Sequence, residues 1–450
     1  MNEKTAFYRR AAALILPMAL QNLINVGISS IDVVMLGRVG ETVLSGASLG
    51  SQIQFILNLM LFGATSGAAI LMAQYWGKGD RAAVGTVWGM VLKLTMLISL
   101  LFTVLVFVFP YHAISIFTND GAVREQGAQY LRIVCLSYLP LTFTMVYLNT
   151  MRSVGRVRIA TVVYLCSMLT NIAVNAVLIF GLCGAPRMGI RGAAIGTLCA
   201  RLMELAVVAV YNRRWNTELP FRWRYFKAFD RTLAKDYVKY SLPVLFNELM
   251  WGTGCSMIAA ILGHMGSAAV AANSVAQVVR QLATVASFGV ASAAAVMVGQ
   301  TLGEGRKDAA KRYADRLVRL AMLLSLAGAG LILLIRPLIL RSVAISDEAI
   351  AYLSVMLLVM SYFVVAQVYN TVVIVGILRG GGDTKFGFMV DVIFMWGVAI
   401  LFGFVAAFVL HWSVIPVYLI LTCDELLKVP ASALRYRSKK WLNNITRETT

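Results

Sequence analysis

Apolar runs of about 20 residues or more follow one another along almost the whole 450-residue chain. A helix of about 20 residues is long enough to cross the roughly 30 Å hydrocarbon core of a bilayer. Divided at glycines, prolines and charged residues, these runs predict an all-α membrane protein with twelve transmembrane helices. The predicted spans are residues 11–36, 48–74, 87–109, 130–151, 159–182, 190–211, 238–262, 270–300, 316–335, 350–378, 386–410 and 412–430.

A long polar connection, Asn212 to Asp236, lies between the sixth and seventh predicted spans and is rich in arginine and aromatic residues. Because domain boundaries fall in polar linkers, this connection is the predicted boundary between two lobes. We expect an N-terminal six-helix lobe over residues 1–215, a cytoplasmic connection over 216–237, and a C-terminal six-helix lobe with a basic tail over 238–450.

An internal repeat relates the two predicted lobes. With an offset of 226, residues 16–84 align with 242–310 without a gap, and both second spans end in the motif Q-x-x-G-x-G. With an offset of 227, the turn Met151–Gly155 aligns with Leu378–Gly382. Because six spans separate equivalent positions, both halves cross the membrane in the same direction, as in transporters that rock two bundles around a shared site.

Composition supports the membrane assignment and charge placement orients the chain. The sequence is 59% hydrophobic and only 14% charged, with a mean hydropathy of +0.77. A net charge of +19 could indicate nucleic-acid binding in a soluble protein. Here about 30 of the basic residues fall in alternate connections on one side and about seven on the other, as the positive-inside rule predicts. We therefore expect both termini in the cytoplasm, lipid as a partner, and no nucleic acid.

The first predicted span carries a polar stripe of Gln21, Asn22, Asn25, Ser29 and Asp32, which fall within one helical arc of about 100°. A carboxylate at bilayer depth is unfavourable by about 2.5–3.5 kcal/mol, so an intramembrane acid predicts function. Burial penalises the charged form of a carboxyl group, so Asp32 could take up a proton on one side of the membrane and release it on the other. Its oxygens could instead hold Na⁺, a hard cation.

Acids also occur within apolar stretches of the second half. Glu248 follows Pro243 in span seven, and Asp391 lies in span eleven. Each could act in a cavity or form a structural ion pair, and Arg280 could pair with either one. In span six, an arginine and a glutamate three residues apart are expected to pair on their own helix.

Several motifs resemble the multidrug and toxic compound extrusion (MATE) family. They are Pro17, Ser30–Gly40, Asn171–Gly181, Met188–Thr197 and Leu378–Thr384, and the resemblance extends through the whole chain. It implies a MATE/MOP-type fold, with two parallel six-helix lobes forming a V-shaped central cavity. It also implies export of amphipathic, often cationic compounds in exchange for protons or sodium.

The resemblance also implies site residues. The family places its essential first-span acid at the position of Asp32 and surrounds it with polar residues that match Asn171, Asn175 and Thr197. These four are the predicted ion-coupling residues, and Na⁺ at Asp32 is the one metal that this site could take. The substrate-cavity candidates are Gln21, Asn22, Asn25, Tyr138, Glu248 and Asp391.

The sequence departs from the family pattern at two places. A fifth-span position that is commonly Asp in the family is Asn175, which leaves Asp32 as the sole acid of its cluster. One branch uses a span-seven Glu with a span-ten Asp, but Val368–Thr371 contains no acid and Glu248 is nearer its proline than in that pattern. The chain therefore resembles the DNA-damage-inducible (DinF-like) branch more closely.

The predicted function is secondary active multidrug efflux by a monomer in the bacterial inner membrane, driven by H⁺ or Na⁺ with no other cofactor. A flippase for lipid-linked oligosaccharide or peptidoglycan precursors, within the same superfamily, is the alternative. A membrane-embedded enzyme would need a cluster of catalytic side chains, and the sequence contains no such pattern and no nucleotide-binding motif. We therefore expect a transporter of small molecules and not an enzyme.

Overall fold

A computed structural model describes residues 3–343 and 345–447, which are almost entirely helical. Short 3₁₀ turns occur at Cys135–Ser137 and Leu182–Gly184, and π-helical segments at Thr371–Leu378, Asp391–Ile400 and Val405–Val409. The α-helices are α1 (Glu3–Gly37), α2 (Glu41–Lys78), α3 (Arg81–Val108), α4 (Pro110–Ser115), α5 (Gly121–Val134), α6 (Tyr138–Ser153), α7 (Arg158–Phe180), α8 (Ile190–Arg214), α9 (Trp223–Lys227), α10 (Arg231–His264), α11 (Ser267–Gly303), α12 (Lys307–Ser342), α13 (Asp347–Asn370), α14 (Thr384–Val390), α15 (Leu401–Phe404), α16 (Val414–Thr422) and α17 (Asp424–Arg437).

Eleven helical stretches among the described residues are long and apolar enough to cross a membrane. They correspond to the first eleven predicted spans, and three of them are composite: Gly121–Ser153, Asp347–Leu378 and Thr384–Val409. The predicted twelfth span, 412–430, is occupied by α16 and α17, which meet at Cys423. The second of these helices begins with two acids, so its apolar stretch is shorter than that of the other spans. The predicted all-α membrane fold is confirmed.

The helix surfaces match a lipid environment. On α3 the buried positions, such as Trp88 and Val91, are the packed face, whereas Leu97, Leu101 and Leu105 are 55–61% exposed. Lipid tails are as apolar as leucine, so such side chains have no reason to be buried in a bilayer. The apolar runs therefore supply both a packing face and a lipid-facing surface on the same helix.

The chain divides into two compact units. The N-unit comprises Leu20–Met72 and Asp80–Val238. The C-unit comprises Met1–Ala19, Ala73–Gly79 and Lys239–Thr450. The first half of α1 and the end of α2 thus pack with the second half of the chain, while the second half of α1 and most of α2 belong to the N-unit.

The repeated Q-x-x-G-x-G motif forms a close helix crossing within the C-unit. A Cβ atom on Gly77 would lie 2.0 Å from the backbone carbonyl oxygen of Gln300, and a Cβ on Gly303 would lie 1.9 Å from that of Gln74. The two contacts are equivalent under the 226-residue offset. Only glycine permits backbones to approach this closely, so the crossing explains why the duplicated motif retains its glycines.

We expect Gly77→Ala and Gly303→Ala each to lower the free energy of unfolding by about 1–3 kcal/mol, since the added methyl group meets backbone and the helices must separate. Gly330→Ala is the matched control, because a Cβ at that helical position would meet nothing within 4 Å. Thermal unfolding in detergent measures the effect. Equal unfolding temperatures for the three variants would contradict the close crossing.

The C-terminal tail packs beside this crossing. Trp441 is fully buried, stacks on Tyr436 and donates from its indole Nε1 to the Tyr436 carbonyl oxygen at 3.0 Å. The Gln74 side chain donates to the carbonyl oxygens of Gly380 and Asn443, at 2.9 and 3.1 Å. Gln74, the first residue of the repeated motif, therefore binds both the turn after the tenth span and the tail.

Candidate functional site

A polar cavity of about 510 Å³ lies within the N-unit, between α1, α2, α5, α6, α7 and α8. Four residues named from the sequence line it: Asn25, Asp32, Asn171 and Thr197. Asn25 and Asp32 of the stripe on α1 thus face a cavity instead of lipid. The other lining residues are Ile28, Ser51, Gln52, Gln54, Phe55, Asn58, Tyr130, Leu141, Thr144, Met145, Tyr164, Ser167, Ala200, Arg201 and Glu204.

Asp32 accepts a hydrogen bond from Asn175 of α7, which also binds Asn171 on the same helix. The Asn175 amide nitrogen donates to Asp32 Oδ1 at 2.7 Å and to Asn171 Oδ1 at 3.2 Å. Asn171 and Asn175 are four residues apart, so they lie one above the other on the same helix face. An ionised aspartate at position 175 could not donate these bonds, so the departure from the family pattern gives Asp32 a hydrogen-bond donor where a second negative charge would repel it.

Gly196 on α8 makes room for this arrangement. A Cβ atom there would lie 2.0 Å from the Asn175 side-chain oxygen. Asn175 is fully buried, and that oxygen has no hydrogen-bond partner in the described structure. The two bonds that the Asn175 amide nitrogen donates therefore fix the orientation of the Asn175 amide. Asn175 lies outside the cavity lining and supports Asp32 from there.

Thr197 lies one turn from Ala193 on α8, and its hydroxyl donates to the Ala193 carbonyl oxygen at 3.1 Å. The Tyr130 phenol lies within hydrogen-bonding reach of both Thr197 and Ser51. Thr197 and Asn171 thus both line the cavity, Thr197 beside Tyr130 and Asn171 bonded to Asn175 behind the lining.

The predicted pair on α8 is confirmed, because the Arg201 guanidinium donates to a Glu204 carboxylate oxygen. Both side chains line the cavity, and Glu204 is 1% exposed. Arg201 also lies within electrostatic range of Asp32. The charged lining therefore consists of one ion pair and one carboxylate, Asp32, that forms no ion pair.

Sequence reasoning missed the wall contributed by α2. Ser51, Gln54, Phe55 and Asn58 all line the cavity. They occur at i, i+3, i+4 and i+7, which is the spacing of a single helix face, so the polar stripe was detectable in the sequence. Tyr130 and Tyr164 had no comparable signal, since single aromatic residues are common in membrane helices.

Besides Asn175, three sequence candidates in the N-unit lie outside the lining. Gln21 is buried and donates to the Val157 carbonyl oxygen at 3.1 Å, while its side-chain oxygen accepts from Arg152 at 3.2 Å. Asn22 is partly exposed, and Tyr138 is fully buried in a hydrophobic cluster. The structure describes only the backbone of Ser29, whose side chain lies outside the described residues.

The two acids of the second half form ion pairs in the C-unit. Glu248 lies 2.8 Å from the Arg379 guanidinium, and Asp391 lies 2.8 Å from the Lys428 ammonium. Asn247 bridges the two pairs, since it accepts a bond from Arg379 and donates one to Asp391. The expected partner, Arg280, was therefore wrong for both acids, because the partners come from helices that periodicity cannot place beside them.

Arg379 and Arg152 occupy equivalent positions of the repeat, and each binds the amide oxygen of a first-span residue of its own half. In the C-unit that residue is Asn247, at 2.5 Å, and in the N-unit it is Gln21. The duplication therefore preserved this contact in three dimensions.

Among the described residues, no group of three or more His, Cys, Asp or Glu side chains is arranged to hold a metal ion.

The MatE family model matches residues 17–177 and again 243–405, with the two matches starting at the prolines of the 226-residue repeat. A probable multidrug resistance protein NorM of Thermotoga maritima is 25% identical over 444 residues, covering 95% of this chain and 92% of that protein. A probable multidrug resistance protein YoeA of Bacillus subtilis is 23% identical, covering 89% and 87%.

Solved structures share the fold. A MOP superfamily transporter from Pyrococcus furiosus, described as having a binding pocket of reverse polarity, has a TM-score of 0.86 at 17% identity, with 96% of this chain and 95% of that chain covered. An outward-facing multidrug resistance MATE transporter has the same TM-score and identity, with 96% of each chain covered. Since the two matched segments cover more than half of the sequence, the chain belongs to the MatE family and is a MATE membrane transporter.

Proposed function

We propose that this transporter is a multidrug efflux antiporter, which exports small amphipathic, often cationic compounds in exchange for H⁺ or Na⁺ by alternating access. The observation that carries the proposal is Asp32, the one carboxylate among the cavity-lining residues that has no basic partner. The names of the bacterial relatives, probable multidrug resistance proteins, support multidrug efflux.

The cavity chemistry suits amphipathic substrates. Phe55, Leu141 and Met145 supply apolar surface, and amide side chains such as Asn25 and Gln52 supply hydrogen bonds. Sites that bind small molecules combine apolar walls with a few placed polar groups. A positive group on the substrate would be attracted to Asp32, whose charge the lining does not otherwise neutralise.

The exchange of substrate for H⁺ or Na⁺ follows because the substrate and the ion compete for the Asp32 carboxylate. When Asp32 is protonated or holds Na⁺, the cavity has no uncompensated negative charge and a cationic substrate loses its counter-ion. When the ion leaves, the site again attracts the substrate. Na⁺ would find oxygen ligands in Asp32 and in the Asn171 amide, as hard cations require. We propose Asp32, Asn171, Asn175 and Thr197 as the ion-coupling residues on this basis.

The remaining proposals concern placement in the membrane. We propose two lobes, residues 1–215 and 238–450, joined by the cytoplasmic connection 216–237, with both termini in the cytoplasm. The bacterial relatives support the inner membrane as the location. A monomer and a closer kinship with the DinF-like branch stay predictions.

The experiment that tests the proposed function measures substrate export from proteoliposomes under imposed gradients. A pH gradient or a sodium gradient, applied separately, is expected to drive transport of a fluorescent cation such as ethidium across the vesicle membrane. The gradient that does so identifies the coupling ion. If neither gradient drives transport, while the same vesicles move a lipid-linked oligosaccharide between leaflets, the chain is a flippase and the antiporter proposal is overturned.

A further inference from the structure

A second cavity of about 680 Å³ lies in the N-unit where α1 ends and α8 begins. Three arginines line it, Arg38, Arg187 and Arg191, together with the amide side chains of Gln126 and Gln129. Its remaining walls are apolar or backbone: Val39, Val43, Ile179, Phe180, Met188, Gly189 and Ile190. No aspartate or glutamate belongs to the lining, so the pocket collects positive charge.

The three guanidinium groups have no acidic partner. None of them forms an ion pair with a described residue, and all three side chains are exposed. Arg191 donates from Nε to the Gln129 side-chain oxygen at 3.1 Å, and Gln129 in turn donates to Glu125 at 2.9 Å. Arg191 is therefore held by a neutral amide oxygen and not by a carboxylate.

The backbone holds this arrangement in place. The loop after α7 turns at Gly181, at a φ of +74°, and a Cβ there would lie 2.6 Å from the Arg187 Cγ atom. The Met188 amide then donates to the Leu178 carbonyl oxygen at 2.8 Å, which folds the loop back onto α7. Gly189, at a φ of +50°, precedes α8 and provides no side-chain cap. The first N–H groups of that helix thus begin beside the arginines.

Charge placement makes the cluster unusual. In the predicted topology this end of the N-unit is the outer side, where basic residues are scarce. Three of the seven basic residues on that side meet in this one pocket; the other four are Arg124, Arg132, Arg336 and Arg341. Because grouped like charges repel, such a cluster is stabilised when an anion binds to it.

We propose that this pocket binds the phosphate of an anionic phospholipid headgroup. Guanidinium groups bind phosphate oxygens through paired hydrogen bonds, and a helix N-terminus adds N–H donors and a favourable dipole. Basic pockets between transmembrane helices on the cytoplasmic side bind such headgroups, and the same phosphate chemistry applies to a pocket on the outer side. The apolar wall of Val39, Val43 and Phe180 would pack against the glycerol and upper acyl carbons, which a free phosphate lacks.

The test measures lipid binding by the purified full-length protein, with native mass spectrometry after addition of phosphatidylglycerol or phosphatidylcholine. We expect preferential retention of phosphatidylglycerol by the wild type. Each Arg→Gln substitution at 38, 187 and 191 should weaken it about fivefold, and the triple variant about a hundredfold, since one basic residue near an anionic surface contributes about 1 kcal/mol. Arg124→Gln is the matched control, because that outer arginine bonds Thr118 and Asn119 and lies outside the pocket.

Equal retention of the two lipids by the wild type, or of phosphatidylglycerol by the wild type and the triple variant, would overturn the proposal. Inorganic phosphate alone is tested in parallel. Arginine-dependent binding of phosphate that displaces no lipid would show that the pocket takes a free anion, and would overturn the lipid assignment. The arginines are exposed, so we expect the triple variant to unfold at the wild-type temperature in lipid-free detergent, which separates lost binding from lost fold.

Discussion

Asp32→Asn is expected to reduce gradient-driven efflux at least about tenfold while leaving the protein folded. Coupling between two ligands of a transporter typically amounts to about 1–3 kcal/mol, or about 5–150-fold, and here it depends on a group that changes charge. The asparagine oxygen can still accept the bond from Asn175, which is 2.7 Å long in the wild type. The substitution thus removes the charge and retains the local hydrogen bond.

Efflux of ethidium from cells and transport in proteoliposomes both measure this effect. Glu41→Gln is the control, because Glu41 is an exposed acid at the start of α2 and lines neither cavity. Unchanged transport by the Asp32 variant would remove this residue from the coupling mechanism. A loss of both transport and thermal stability would indicate a structural role instead.

Lys428→Met is expected to give the largest loss of stability, about 3–5 kcal/mol, because it leaves buried carboxylates without their counter-ion. Lys428 is 2% exposed, and its ammonium lies 2.8 Å from Asp391, 2.7 Å from Asp424 and 3.4 Å from Glu425. Desolvated charges of one sign repel one another strongly when the opposite charge is removed. Thermal unfolding in detergent measures the difference.

Lys311→Met provides the matched comparison. Lys311 pairs with Asp315 at the same i, i+4 spacing as Lys428 with Asp424, but both side chains of that pair are partly exposed. Exposed pairs contribute about 0–1 kcal/mol, so this variant should unfold near the wild-type temperature. Adding Asp391→Asn to Lys428→Met should restore part of the stability. Equal effects of the two lysine substitutions would mean that the buried network contributes no more than a surface pair.

The internal duplication shows how far sequence reasoning reached. The 226-residue offset located two glycine motifs, and the structure brings them together at Gly77 and Gly303. An alignment reports that two segments are alike and carries no information on whether they touch. That they meet at reciprocal carbonyl oxygens could be learned only from the packed helices.

The candidate site divides in the same way. The stripe on α1 could be predicted because helical period and the penalty for a charge in lipid act within one segment. The structure then brought four of the named residues to one cavity, placed Asn175 directly behind Asp32, and left Gln21, Asn22 and Tyr138 outside the lining. It also supplied the Arg201 and Glu204 pair to that lining, next to Asp32.

The sequence by itself determined that the chain is a helical membrane protein, that it is duplicated, and that Asp32 lies on a polar helix face. These follow from hydropathy, periodicity and self-similarity, which are properties of neighbouring residues or of whole segments. Only the tertiary structure decided which charges meet: it places Arg379 beside Glu248 and Lys428 beside Asp391, whereas Asp32 forms no ion pair with any described residue. Ion pairing depends on distances between residues far apart in the chain, and Coulomb energy falls with those distances in a medium whose polarity the fold itself creates.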